Sequence, residues 1–271
     1  MRSGSASSIR RCWFAVMLLA LVALPCRAGS RGAAVPPHLL WAERLVSELA
    51  PGDNRYGSHP TYVVWAEDGE RVARNRSVCS SFVSRDLMRA YGLTRADFEK
   101  RFGTRNPQAK DYYDALSAAR GFSLVSRVDE MQPGDIIAIE YPPGSRPTGH
   151  VMIVDSRPAP RAATKPVEPQ TRQYEVAVID SSASFHGFDD TRYVRGAAHG
   201  TGVGRGLFRL YADAAGRVTG YSWSVRSVSH YYQFVQRPLA VGHFDTGPFQ
   251  AAPTHEGEPS EADDAPNQGL F

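Results

Sequence analysis

The chain has 271 residues, of which 42% are hydrophobic, and its formal net charge is +3. This composition is typical of a globular protein with one large domain or two small ones. The basic residues are scattered along the chain, which argues against a nucleic-acid-binding protein.

The first 28 residues have the pattern of a signal peptide. A basic start is followed by the apolar run Trp13 to Leu24 and then by Cys26-Arg27-Ala28. The apolar run is shorter than the span of about 20 residues that crosses a membrane. We therefore predict cleavage near Ala28 and a periplasmic or secreted protein, with a lipid-anchored start at Cys26 as the alternative.

Composition also predicts the domain boundaries. Residues 29–37 are small and proline-rich and are interpreted as a linker. A single domain is predicted over 38–245, with an exposed, proline-rich insertion at 157–173. Residues 246–271 form an acidic tail with few apolar residues, which is typical of disorder.

Apolar residues recur at helical spacing in the first half of the domain. They predict a helix over 38–49, ended by Pro51-Gly52, and a second over 80–91, ended by Gly92. Two further helices are predicted over 95–102 and 109–119.

The second half of the domain is dominated by short runs rich in β-branched and aromatic residues. They predict strands, together with one earlier run at 61–66. The predicted strands are 61–66, 135–141, 150–155, 174–180, 207–211, 221–225 and 230–234. Helices followed by antiparallel-looking strands indicate an α+β fold, with helices packed on a sheet.

Cys79 is the only cysteine that remains once the predicted leader is removed. An exported protein with one thiol cannot form an internal disulfide, so the thiol is either reactive or intermolecular. Asn75 and Ser77 are suitable cap residues for the helix that follows. At the start of that helix, the unpaired N–H groups favour a negatively charged sulfur. The alternative is a buried, inert cysteine.

His150 and Asp180 are the candidate partners of this thiol. His150 begins an apolar strand after Gly149, and Asp180 ends the next strand at the point where its apolar run stops. In an antiparallel hairpin these two positions lie side by side, so Asp180 could orient the imidazole of a Cys-His-Asp triad. Ser181, Ser182 and His186 are alternatives for that role. The competing interpretations are a strand-end histidine bonded to backbone and a turn-forming aspartate.

Three motifs together resemble the NlpC-type papain-like cysteine peptidases of bacterial cell walls. They are Cys79-Ser80-Ser81-Phe82-Val83, Pro133-Gly134-Asp135-Ile136-Ile137-Ala138 and Gly149-His150-Val151-Met152-Ile153-Val154. The resemblance implies a papain-like fold and an exported hydrolase that cuts amide bonds in peptidoglycan stem peptides. It implies Cys79 as nucleophile, His150 as base and Asp180 as orienting residue. The family's third residue is usually a histidine, so this chain departs from the pattern there.

The segment between Asp180 and Arg205 is interpreted as a loop that lines the cleft. We predict substrate contacts from Ser80, Ser182, His186 and Arg192, with Arg192 suited to a carboxylate. The His and Asp residues of this loop match no standard zinc spacing, so we expect no metal and no cofactor. The glycines between Gly200 and Gly206 lead into a strand rather than a helix, which excludes a phosphate loop and predicts a flexible turn.

Three functions remain open from the sequence. The first is a papain-like amide hydrolase acting on peptidoglycan peptides. The second is acyl transfer of the transglutaminase type, which uses the same three residue types. The third is a cell-wall-binding module without turnover. Neither a nucleic-acid partner nor an integral membrane span is expected.

Overall fold

The computed structural model describes Met1, residues 34–67, 71–196 and 198–247. One compact unit begins at Val35, and the description below concerns this unit. The predicted signal peptide and its cleavage site, most of the predicted linker, and the tail beyond Gly247 lie outside the described residues.

The described residues contain four α-helices. They are α1 (Pro37–Glu48), α2 (Cys79–Tyr91), α3 (Arg95–Phe102) and α4 (Ala109–Ser117). Gly92 and Gly103 end α2 and α3 with left-handed backbone (φ 65° and 78°), which glycine adopts without steric cost. The chain turns back sharply between these helices, so all four can pack together.

The same residues contain twelve strands, several of them short. They are β1 (Asn54–Tyr56), β2 (Tyr62–Val64), β3 (Arg74–Ser77), β4 (Phe122–Leu124), β5 (Ile136–Glu140), β6 (Gly149–Val154), β7 (Ala159–Pro160), β8 (Arg172–Ser182), β9 (Gly202–Ala212), β10 (Val218–Ser222), β11 (Tyr231–Gln233) and β12 (Leu239–Phe244).

Most strands belong to one large antiparallel sheet. Its order is β11-β10-β9-β8-β6-β5-β12-β4, with β7 added beside β8. Strands β1, β3 and β2 form a separate small sheet, which leads the chain into α2. The predicted α+β class, with helices on a mainly antiparallel sheet, is therefore confirmed.

The large sheet is covered on both faces. Ala138, Val151 and Ile179 pack under the helices, while Met152, Val178 and Phe208 belong to a second apolar cluster. Every residue of β6 is buried, which explains the unbroken apolar run after His150. No helix in the described ranges is long and apolar enough to cross a bilayer.

Two local predictions were wrong. The glycines from Gly202 to Gly206 lie in β9, paired along their length with β8, and do not form a turn. Asn75 and Ser77 lie in β3 and do not cap α2, whose cap residue is Val78. The Ser81 hydroxyl accepts the Val78 N–H at 3.0 Å and so takes over the capping role from within the helix.

The segment predicted as an insertion connects β6 to β8. Its residues are mostly exposed. The short strand β7 pairs with the large sheet, and the last two residues of the predicted insertion, Arg172 and Gln173, already belong to β8. The Arg209 guanidinium donates to the carbonyl oxygens of Thr164 and Lys165, at 3.1 and 2.9 Å. These bonds hold the segment against β9, on the face opposite to Phe208 and Leu210 of the second apolar cluster.

Candidate active site

Cys79 is the first residue of α2 and is 4% exposed. The preceding strand is held to the large sheet because the Ser181 hydroxyl donates to the Ser77 carbonyl oxygen at 2.7 Å. The first amides of a helix have no acceptor within the helix, so those beside Cys79 can stabilise negative charge on or near the sulfur. The fold thus fixes this thiol at a helix start, against the end of β8.

His150 connects the thiol to a carboxylate. Its imidazole interacts electrostatically with the Cys79 side chain, and its Nε2 lies 2.6 Å from Asp180 Oδ2. A carboxylate only accepts, so Nε2 donates and Nδ1 remains for the sulfur. The register Ile153 to Ile179 sets β6 beside β8, which brings His150 close to Asp180. The structure therefore brings Cys79, His150 and Asp180 together, with His150 between the thiol and the carboxylate.

The charge on His150 is controlled by these two partners. Burial by itself disfavours the imidazolium, but the interactions with Cys79 and Asp180 outweigh it and raise the pKa of His150 to about 10. The imidazole can therefore hold a proton taken from the thiol over a wide pH range. That capacity is what a base needs if it is to activate a sulfur nucleophile.

Asp180 is itself held from behind by His186 and Arg192. His186 Nε2 lies 3.1 Å from Asp180 Oδ2, while His186 Nδ1 lies 2.6 Å from the Trp223 carbonyl oxygen. Both partners accept, so both bonds form together only when the ring carries two protons. Arg192 Nη2 lies 2.9 Å from Asp180 Oδ1. Burial would raise the pKa of Asp180, but these cationic neighbours hold it well below its usual range.

Asp190 completes this buried network. It accepts from Arg192 Nε at 2.9 Å, from Arg192 Nη2 at 2.8 Å and from the His186 backbone N–H at 2.7 Å. Arg192 Nη1 also donates to the Gly202 carbonyl oxygen at 3.0 Å. Two carboxylates are thus bound by one guanidinium under the predicted triad. The network fixes Asp180 in one position and keeps it ionised.

Glycines make the room for this network. Gly204 and Gly206 alternate on β9 and face the same side as Asp180 and Val178, their partners on β8. A Cβ on Gly206 would lie 2.5 Å from Asp190 Oδ2 and 2.6 Å from His186 Cβ. A Cβ on Gly204 would lie 2.6 Å from Arg192 Nε. The glycine run thus permits close packing of side chains and does not serve as a flexible hinge.

Replacing Gly206 with Ala is expected to destabilise the fold by about 1–3 kcal/mol, the usual cost of overpacking a core. The new methyl group would press on Asp190 and His186, and both are fixed by hydrogen bonds. The urea-unfolding midpoint measures the loss. Gly52→Ala is the control, because nothing lies within 4 Å of a Cβ there. Equal midpoints for the two variants would contradict the packing argument.

The predicted substrate contacts occupy different environments. Ser80 follows Cys79 in the first turn of α2 and is 8% exposed. Ser182 ends β8, and its hydroxyl accepts the Ser184 N–H at 3.2 Å. His186 and Arg192 lie in the interior, and their donors are taken up by Asp180, Asp190 and backbone oxygens. We therefore assign His186 and Arg192 to the support of Asp180 instead of to the substrate.

The aromatic surroundings of the site were not predicted from the sequence. The Trp223 ring lies edge-on to His150, with centroids 4.8 Å apart, and stacks on His186 at 4.3 Å. The Tyr56 and Tyr141 hydroxyls interact electrostatically with Cys79, and burial raises the pKa of each to about 12. Both phenols therefore remain neutral hydrogen-bond donors at neutral pH. Their only sequence signal is an aromatic residue at or just past the end of a strand, which is too common to indicate a site.

No group of His, Cys, Asp and Glu side chains in the described ranges has the arrangement of a metal site. Asp180, His186 and Asp190 instead form the network with Arg192, and the His199 ring accepts the Val194 N–H at 3.2 Å.

Comparison with known proteins gives one informative match. The chain is 34% identical over 222 residues to the uncharacterized protein R653 of Acanthamoeba polyphaga mimivirus. The match covers 78% of this chain and 97% of the viral protein. No family model matches the chain, and no solved structure matches it.

Proposed function

We propose that this chain, which belongs to the same family as the mimivirus protein R653, is a cysteine hydrolase that cuts amide bonds through a thioester on Cys79. The observation that carries the proposal is the buried arrangement in which His150 interacts with Cys79 and is hydrogen-bonded to Asp180. A nucleophile, a base and an orienting carboxylate in this order are the parts that nucleophilic acyl transfer requires.

The proposed reaction begins with attack of the Cys79 sulfur on the amide carbonyl carbon. The thiol proton moves to His150, and the carbonyl oxygen becomes an oxyanion near the first-turn amides of α2. The C–N bond then breaks, and His150 gives its proton to the departing amine. Water attacks the resulting thioester with His150 as base, which releases the carboxylic acid and restores the Cys79 thiol.

The proposed substrate is a peptidoglycan stem peptide outside the cytoplasm. Two sequence features support it: the resemblance to NlpC-type peptidases and the leader-like first 28 residues. Supporting structural features are the site's place on an α+β fold and a Cys-bearing helix packed against the His-bearing sheet. The alternatives are transfer of the acyl group to an amine and binding without turnover.

Incubation of purified stem peptides with the enzyme and with Cys79→Ala tests the proposal. We expect mass spectrometry to find cleaved peptides with the wild type and only intact peptides with the variant, because alanine has no nucleophile. Added glycinamide separates the outcomes: a peptide–glycinamide adduct in place of the acid would indicate acyl transfer. Intact peptides with both proteins, together with measurable binding, would overturn the hydrolase proposal in favour of a binding module.

A further inference from the structure

Arg237 is a cation without a carboxylate partner near the candidate site. Its Cζ lies 4.5 Å from the ring centroid of Tyr141 and 4.3 Å from that of Tyr232. The residue is half-buried, and within the described ranges no Asp or Glu forms an ion pair with it. A guanidinium held over two aromatic rings keeps its N–H edges free for another group.

The backbone places the segment of Arg237 at the end of the hairpin that carries His150. Ile139 pairs with His150 across β5 and β6, and Tyr141 follows directly at the end of β5. The Glu140 N–H donates to the Pro238 carbonyl oxygen at 2.9 Å, which holds the segment of Arg237 against that end of the hairpin. Tyr141 also interacts electrostatically with Cys79. Tyr141 therefore contacts Arg237 and also lies within electrostatic range of the proposed nucleophile.

Two further donors near the site lack an acceptor. The Tyr221 hydroxyl lies beside the Arg237 guanidinium but makes no hydrogen bond of good geometry, although the residue is only 1% exposed. The Trp223 indole N–H is buried without a partner, on the ring that lies 4.8 Å from His150. Buried polar groups are normally hydrogen-bonded, so unpaired donors near a guanidinium without a carboxylate partner point to an absent acceptor. A negatively charged, planar acceptor fits this set best.

We propose that Arg237, with Tyr141 and Tyr232 beneath it, forms a subsite that binds a carboxylate of the substrate next to the bond to be cut. The inference rests on the proposed function in that it takes the surroundings of Cys79 as the substrate cleft. It adds the substrate class: amides that carry a carboxylate near the reacting carbonyl. Recognition of a substrate carboxylate, which the sequence predicted for Arg192, is thereby assigned to Arg237.

Binding of a matched peptide pair to the Cys79→Ala protein tests this subsite. One peptide is a synthetic stem tripeptide with free carboxylates, and the other is the same peptide with every carboxylate converted to a carboxamide. We expect the acid to bind more tightly than the amide by about tenfold or more, the value of one charge-assisted hydrogen bond. Adding Arg237→Gln to this protein should remove that preference, because it weakens binding of the acid peptide alone.

The control is Arg226→Gln in the same background. Arg226 also lies over an aromatic ring, 4.2 Å from the Phe188 centroid, but it is not stacked on the tyrosines beside His150. Arg226→Gln should therefore leave the preference for the acid peptide unchanged. Three results would overturn the subsite. They are equal binding of the acid and amide peptides before Arg237 is replaced, equal weakening of both by Arg237→Gln, and no binding of either peptide.

Turnover of the acid peptide by the wild-type protein, which retains Cys79, is measured separately. A retained preference for the acid without cleavage would overturn the hydrolase proposal and leave the subsite standing. Cleavage of acid and amide peptides with equal kcat/KM would overturn the subsite and leave the hydrolase proposal standing. The two ideas can therefore fail independently.

Discussion

Replacing Asp180 with Asn is expected to lower kcat by roughly 10²–10⁴-fold, the range for a triad that loses its orienting carboxylate. An amide in this place cannot hold the His150 Nε2–H as a carboxylate does at 2.6 Å. The imidazole would then lose both its fixed tautomer and the negative charge that stabilises its protonated form. Steady-state cleavage of stem peptides gives the magnitude, and circular dichroism checks that the variant is folded.

The pH dependence separates this orienting role from a general loss of structure. Asp180 raises the pKa of His150, so the alkaline limb of kcat/KM, expected near pH 10, should move to lower pH in Asp180→Asn. Iodoacetamide should still alkylate Cys79, because the thiol and the imidazole both remain. An unchanged alkaline limb with reduced kcat would contradict the role of Asp180, and so would complete loss of alkylation in a folded variant.

The local pattern of the sequence was enough to predict the parts of the site that lie within single elements. Helical spacing and Gly92 placed α2 within one residue of its observed start. The apolar runs after Gly149 and before Asp180 predicted two strands whose ends carry His150 and Asp180. These signals are strong because each element is buried on a regular period or ended by a glycine.

The network under the site depends on contacts between segments that are distant in the sequence, and no local signal predicted it. The alternate glycines at 202, 204 and 206 have the period of a strand, yet their meaning depends on the side chains that β8 and the 183–192 loop bring against them. Arg192 was predicted to contact a substrate carboxylate because its segment was interpreted as a cleft-lining loop, and only the fold brings Asp180 of β8 against it. Arg237 was missed for the same reason, since only the sheet brings it beside Tyr141.

Replacing Arg192 with Met is expected to destabilise the fold by about 3–5 kcal/mol, the cost of breaking a buried ion pair on one side. The Asp180 and Asp190 carboxylates would remain buried without the guanidinium that lies 2.9 and 2.8 Å from them. Because domains have total stabilities of only about 5–15 kcal/mol, a loss of this size should appear as a large fall in the urea midpoint. Arg217→Met is the matched control: its guanidinium pairs with Asp213 at 3.0 Å but is 71% exposed, so it should cost about 0–1 kcal/mol.

The acid dependence of the Arg192 effect gives a second, independent measurement. In the native protein the pKa of Asp180 lies well below its usual range, so this group stabilises the fold above its unfolded pKa of about 3.9, and the contribution is lost as the pH falls. Without Arg192 a main cause of the lowered pKa is gone, while burial still raises it. Asp180 would then take up a proton at higher pH and cease to be a buried charge. The stability difference between wild type and Arg192→Met should therefore be widest near neutral pH and narrow on acidification. A difference that stays constant from pH 7 to pH 4 would mean that Arg192 acts through packing alone and not by stabilising the ionised Asp180.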